Sequence, residues 1–86
     1  MRKIIFHIDA YEDFTNWSIL NKNIFKKLIE LIKDISRNPF EGKGKPEALK
    51  HNLSGCWSRR ITDEHRIVYK ISSEGNIEII SCKGHY

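Results

Sequence analysis

The residues from Asn23 to Ile35 constrain the chain more than any other stretch. Ile24, Leu28, Leu31 or Ile32, and Ile35 recur at the period of an α-helix, with Lys26, Lys27, Glu30, Lys33 and Asp34 between them. Sustained for about three turns, such a pattern leaves an apolar stripe that has to be buried against another element. The segment Arg-Asn-Pro-Phe at Arg37–Phe40 ends the helix, because the residue before Pro39 is pushed out of helical conformation. In a chain of 86 residues that stripe must find its partner within one modest core.

The partner surface is readable on both sides of the helix. Lys3–Ile8 is an apolar run of strand length, and Asp9 then offers an N-cap with Glu12 three residues on, so a first helix is predicted to start at Asp9. Its buried stripe should be Tyr11, Phe14 and Trp17, with Glu12, Asp13 and Asn16 pointing outward. After Gly55 come three strand-like runs starting at Cys56, His65 and Asn76, joined by turns at Thr62–Glu64 and Ser72–Asn76. In the middle run Ile67, Tyr69 and Ile71 fall on one side, and Arg66, Val68 and Lys70 on the other. The expected fold is α+β: two N-terminal helices packed on one face of a mainly antiparallel, twisted sheet that the first strand joins. Residues 1–86 read as one domain without repeats or low-complexity tracts.

Charge is distributed unevenly. The chain carries 15 Lys and Arg against 11 Asp and Glu, a net charge of +4. Between Lys43 and Arg60, however, Lys43, Lys45, Lys50, Arg59 and Arg60 face Glu47 alone. A stretch of this kind attracts a polyanion such as nucleic acid, and a solvated loop is the plainer alternative. Cys56 and Cys82 are too few for a disulfide framework and match no metal-ligand spacing, so they read as small buried hydrophobes. Neither a metal nor a cofactor is expected. Ile4–Phe6 is too short for the apolar part of a signal peptide, and no run approaches the roughly 20 apolar residues that span a bilayer. A cytoplasmic protein with no membrane partner is the expectation.

The connection Glu41–Gly55 is long and polar, punctuated by Gly42, Gly44, Pro46 and Gly55, and connections of that size tend to carry function. Glu47 stands within it, Arg60 and Arg66 lie on the strands, and His85 with Tyr86 closes the chain. A carboxylate, guanidiniums and an imidazole are the parts needed to break a phosphodiester without a metal. In RNA the attacking group, the ribose 2′-hydroxyl, belongs to the substrate. Each residue also has a plainer reading. Glu47 fits a solvated loop acid, His85 a surface histidine and Tyr86 a tail anchor. Arg66 could pair with Glu78, and Arg59 or Arg60 with Asp63; His7, His51 and His65 read as structural or solvent-facing. The residues alone leave both readings open.

The run RNPFEGKGKPEALKHNLSGCWSRRITDEHRIVYKI, from Arg37 to Ile71, together with the final His-Tyr pair, resembles the YoeB-type toxins of the RelE superfamily. The resemblance extends over nearly the whole chain. It implies a RelE-like fold and the toxin half of a type II toxin–antitoxin pair: a ribosome-dependent endoribonuclease that cuts mRNA in the A site. By the same resemblance Glu47 in KPEALKH is the general base, and Arg66 in EHRIVY is the arginine that stabilises the transition state. His85 is the general acid, and Tyr86 orients the scissile nucleotide. Lys50 and Arg60 match positions that contact the RNA backbone, and Lys43 and Lys45 are taken as further RNA-binding positions. The implied partners are a YefM-like antitoxin, the 70S ribosome with its mRNA, a second copy in a homodimer, and operator DNA only in complex with the antitoxin. Three positions depart from the family pattern: Lys83 and Gly84 precede His85 in place of Arg-Tyr, and Cys56 stands where an aromatic is common. The readings from other classes are a non-catalytic RNA- or ribosome-binding module and a co-repressor acting with its antitoxin on their own promoter.

Overall fold

In the computed structural model, which describes residues 2–84, the sequence's strongest helical period becomes α2 (Lys22–Arg37). Asn21 caps it, its side chain accepting from the N–H groups of Asn23 and Ile24. Leu28, Leu31 and Ile35 are fully buried, as the period requires.

The first helix, α1 (Ile8–Leu20), begins one residue earlier than expected. Its N-cap is His7, not Asp9, and no side chain caps it. The cause lies upstream: β1 (Ile4–Phe6) is hydrogen-bonded until His7 N–H donates to Ile79 O at 3.0 Å, so the chain can turn helical only after His7. Asp9 remains in the first turn, where a carboxylate suits the positive helix end. The buried stripe shifts accordingly. Ala10 is buried and Phe14 and Trp17 pack on the core, while Tyr11, expected inside, is 53% exposed.

Five strands form one sheet in the order β1-β5-β4-β3-β2. The strands are β2 (Glu47–Ala48), β3 (Trp57–Arg60), β4 (Arg66–Ile71) and β5 (Ile77–Gly84), with β1 at one edge. β1 runs parallel to β5, and every other neighbouring pair is antiparallel. β2 and a 3-10 turn at His51–Leu53 lie inside the connection that reads as an unstructured polar loop. Ile67, Tyr69, Ile77 and Ile79 share one buried core with Ala10 of α1 and Leu28, Leu31 and Ile35 of α2, and Arg66, Val68 and Lys70 take the other side.

β3 breaks the rule that a cation belongs outside. Arg59 is fully buried, on the same face as Trp57. Its five N–H donors all find acceptors. Nε donates to Tyr69 Oη at 3.1 Å, Nη1 to Asp34 Oδ2 and to Lys43 O at 3.1 Å, and Nη2 to Asn38 O and to Glu41 O at 2.9 Å. Tyr69 Oη in turn donates to Pro39 O at 2.6 Å. Of the two arginines that could pair with Asp63 at the surface, Arg59 does not: it points inward to the end of α2 and binds the start of the connection. Gly42 passes so close that a Cβ there would collide with the Asp34 carboxylate, and its φ of +123° suits glycine alone.

The N–H of Lys43 and then the Arg59 guanidinium hold the Asp34 carboxyl below its ordinary 3.8. Burial raises the Tyr69 phenol. For Asp34 the folded chain binds the proton less readily than the unfolded one, so stability rises with pH across this range. The advantage of the native chain over Asp34→Asn in urea unfolding should be full above pH 3.8 and shrink as pH falls through the lowered folded value. An advantage that stays constant down to acid would contradict it. At neutral pH, Arg59→Met should lower stability by about 3–5 kcal/mol, because it strands a partly buried carboxylate and three carbonyls.

Candidate functional site

Glu47 belongs to a strand because the connection is stitched along β3. Arg60 N–H donates to Gly44 O at 2.6 Å, Glu47 pairs with Ser58, Ala48 pairs with Trp57, and Leu49 N–H donates to Cys56 O at 2.9 Å. Lys45 (φ +53°) and His51 (φ +58°) bracket this segment in left-handed conformation, which is strained for residues with a side chain.

The sheet face away from the helices carries the candidate residues in two neighbouring rungs. Glu47, Ser58, Val68 and Ser81 make the first, and Arg60, Arg66 and Gly84 the second. Glu47 is exposed and sits diagonally to Arg60, positions that in sheets are separated by roughly 7–8 Å. Arg60 and Arg66 face each other directly in register, a like-charge arrangement. Arg66 does not meet Glu78. Its Nη1 donates to Thr62 O at 2.9 Å and Asp63 O at 3.2 Å, which fastens the guanidinium to the β3–β4 turn. Glu78 binds His7 instead, Nε2 to Oε1 at 3.0 Å, so His7 has a partner the sequence did not suggest.

Lys43 and Lys45 are exposed on the connection that leads to Glu47, and Lys50 is exposed at the start of the 3-10 turn. His51 is exposed, and His65 packs edge-on against Trp17 with ring centroids 5.0 Å apart. Cys56 is half-buried just ahead of β3; Cys82 is buried, and its burial pushes the thiol up to about 12, leaving it neutral. His85 and Tyr86 lie outside the described residues. The last described residue, Gly84, is in register with Arg66. Glu47, Arg60 and Arg66 thus share one face, and that face can hold a phosphate near cations with a carboxylate alongside. Among the described residues no group of three or more His, Cys, Asp or Glu is placed to hold a metal ion. A surface cavity of about 550 Å³ lined by Arg2, Ser36, Arg37, Glu74, Gly75 and Asn76 lies away from these residues.

The sequence does not signal Asp34, nor Asp13, expected to point outward, whose Oδ2 accepts from Cys82 N–H at 3.1 Å, nor Trp17, whose Nε1 donates to Cys82 O at 2.9 Å. For Arg59 a signal existed: if Trp57 faces the core, alternation along β3 sends Arg59 the same way.

The profile of the YoeB-like toxins of bacterial type II toxin–antitoxin systems matches residues 6–86. The chain belongs to this toxin family. It is 54% identical over 84 residues to toxin YoeB of Escherichia coli strain K12, covering 98% of this chain and 99% of that one. Among solved structures, the Staphylococcus aureus YoeB dimer superposes with a TM-score of 0.90 at 48% identity, over 99% of this chain and 98% of that one. A YoeB–YefM complex from the same species gives 0.88 at 48% identity, over 100% and 99%. The fold of this toxin is therefore the RelE/YoeB fold. Among the described residues no helix is long and apolar enough to cross a membrane.

If the facing guanidiniums repel, Arg60→Gln should stabilise the toxin by about 0.2–1 kcal/mol in urea unfolding at low salt. The gain should fade as salt is raised to about 1 M, where charges are screened within a few ångströms. No gain at low salt would mean that the turn carbonyls already neutralise Arg66.

Proposed function

We propose that this toxin is a metal-independent, ribosome-dependent endoribonuclease that cuts mRNA in the ribosomal A site, with residues 1–86 forming one toxin domain. Glu47 takes the proton from a ribose 2′-hydroxyl, whose oxygen then forms a bond to the adjacent phosphorus. Arg66 neutralises the charge that gathers on the pentacoordinate phosphate. The bond from phosphorus to the 5′-oxygen breaks, and His85 supplies the proton that the leaving oxygen needs. The products are a 2′,3′-cyclic phosphate and a 5′-hydroxyl. Tyr86 orients the nucleotide, and Lys43, Lys45, Lys50 and Arg60 hold the RNA backbone by charge.

The observation that carries this reading is the shared sheet face of Glu47, Arg60 and Arg66, with Gly84, next to His85 in the chain, in the same rung as Arg66. With Glu47 and Arg60 exposed, the alignment of a flexible RNA is left to something larger, which is the part given to the 70S ribosome. The Staphylococcus aureus structures support two protein partners, a YefM-like antitoxin and a second copy of the toxin. Operator DNA is bound only with the antitoxin, and the setting is the cytoplasm.

Primer extension on a message translated in a purified system, with and without ribosomes, tests this. Glu47→Gln and His85→Gln should each still bind 70S ribosomes while cleavage falls by about 10² or more. Normal cutting by both variants, or equal cutting of free RNA, would overturn the reading.

A further inference from the structure

We propose that Asp13 and Trp17 of α1 are positioning residues that aim the end of the chain by holding the backbone of Cys82; the inference rests on the reading above that His85 gives up the proton.

The outer edge of β5 changes partner along its length. β1 pairs with it only at Ile77, Glu78 and Ile79, and the His7 N–H bond to Ile79 O closes that ladder. Beyond Ile79 no strand among the described residues lies on this side, and an open edge exposes peptide groups that need partners. At Cys82 two side chains of α1 take the strand's place. Cys82 N–H donates to Asp13 Oδ2 at 3.1 Å, and Cys82 O accepts from Trp17 Nε1 at 2.9 Å. Both polar groups of a single peptide residue, two positions before Gly84, are thus held from one helix.

The inner edge cannot supply that aim alone. Tyr69 pairs with Ile79 and Arg66 with Gly84, so β5 advances five residues (79 to 84) while β4 covers three (66 to 69), with register shifts on either side of Val68. Such irregularities bend and twist a strand, and they recur where a side chain beside an active site has to be re-aimed. A strand carrying two of them takes its direction from whatever else grips it. Trp17 also packs on His65, the residue before Arg66, at 5.0 Å between ring centroids. One indole therefore touches the residue just ahead of β4 and the backbone of β5, one residue from Arg66 and two from Gly84. The Cys82 side chain is fully buried in the core, which anchors the gripped residue from the other side.

The test uses the full-length toxin on a message translated with purified ribosomes, with His85→Gln assayed in parallel. Trp17→Phe keeps the ring and loses the donor, and Asp13→Ala loses the acceptor. Each should lower kcat about tenfold or more, since small misplacements of a reacting group are costly. KM for programmed ribosomes should stay within about twofold, because no substrate contact is removed. Asp13→Asn keeps an accepting oxygen and should restore the rate. Exchange of the Cys82 amide proton should quicken in Asp13→Ala and stay slow in Asp13→Asn. A lower unfolding temperature with unchanged kcat would overturn the proposal, as would equal rates for Asp13→Ala and Asp13→Asn. If Trp17→Phe does not fold, the Asp13 pair decides. A slow His85→Gln beside fast α1 variants defeats this inference alone, whereas a fast His85→Gln defeats the proposed acid and this inference with it.

Discussion

A buried guanidinium organises this toxin. A cation removed from water is tolerable only when every donor is answered, and Arg59 meets that condition with Asp34, Tyr69 and the carbonyls of Asn38, Glu41 and Lys43. The acceptors come from the end of α2, the middle of β4 and the connection that leads from α2 to β2. Filling them fixes where that connection starts, and the bond from Arg60 N–H to Gly44 O fixes where it joins β3. From there the pairing of Glu47 with Ser58 follows by register. The hydrophobic core sets which elements pack together; Arg59 sets the line along which a polar segment becomes a strand.

Alternation turns that inner anchor into an outer surface. Because Arg59 points inward, its neighbours Ser58 and Arg60 must point outward, beside Glu47 and opposite Arg66. The same sheet that buries one arginine thus presents the next, and the anchor and the proposed RNA face are two sides of a four-residue strand. Facing arginines do little for the free protein, which makes the arrangement intelligible as a receptor for phosphate. α1 completes it from the far side of the sheet by holding β5 where the ladder has become irregular.

Much of this was readable from residue order, and the failures have physical causes. The period through Leu28, Leu31 and Ile35 placed α2, and alternation through Ile67, Tyr69 and Ile71 placed the core face of β4. A cap motif at Asp9 is local and points to a start there, whereas the actual start of α1 is imposed by the pairing of β1 with β5, more than 70 residues away in sequence. Glu47–Ala48 carries no strand signal at all: a two-residue strand after a proline exists only because β3 offers an edge. Charge alone suggests a surface pairing of Arg59 or Arg60 with Asp63, whereas parity with Trp57, two residues earlier, sends Arg59 inward. The roles of Glu47, Arg66, His85 and Tyr86 came from resemblance to a toxin family, and of these only Glu47 and Arg66 fall within the described residues.

The chemical identity of the cut ends tests most directly whether the message supplies its own nucleophile. Ribosomes programmed with a defined mRNA and treated with the toxin should yield an upstream fragment ending in a 2′,3′-cyclic phosphate and a downstream fragment starting with a 5′-hydroxyl, and a 2′-deoxy substitution at the cut site should abolish both. A 5′-phosphate on the downstream fragment, or undiminished cutting at the deoxy position, would mean that water attacks the phosphate and that Glu47 does not serve a ribose hydroxyl.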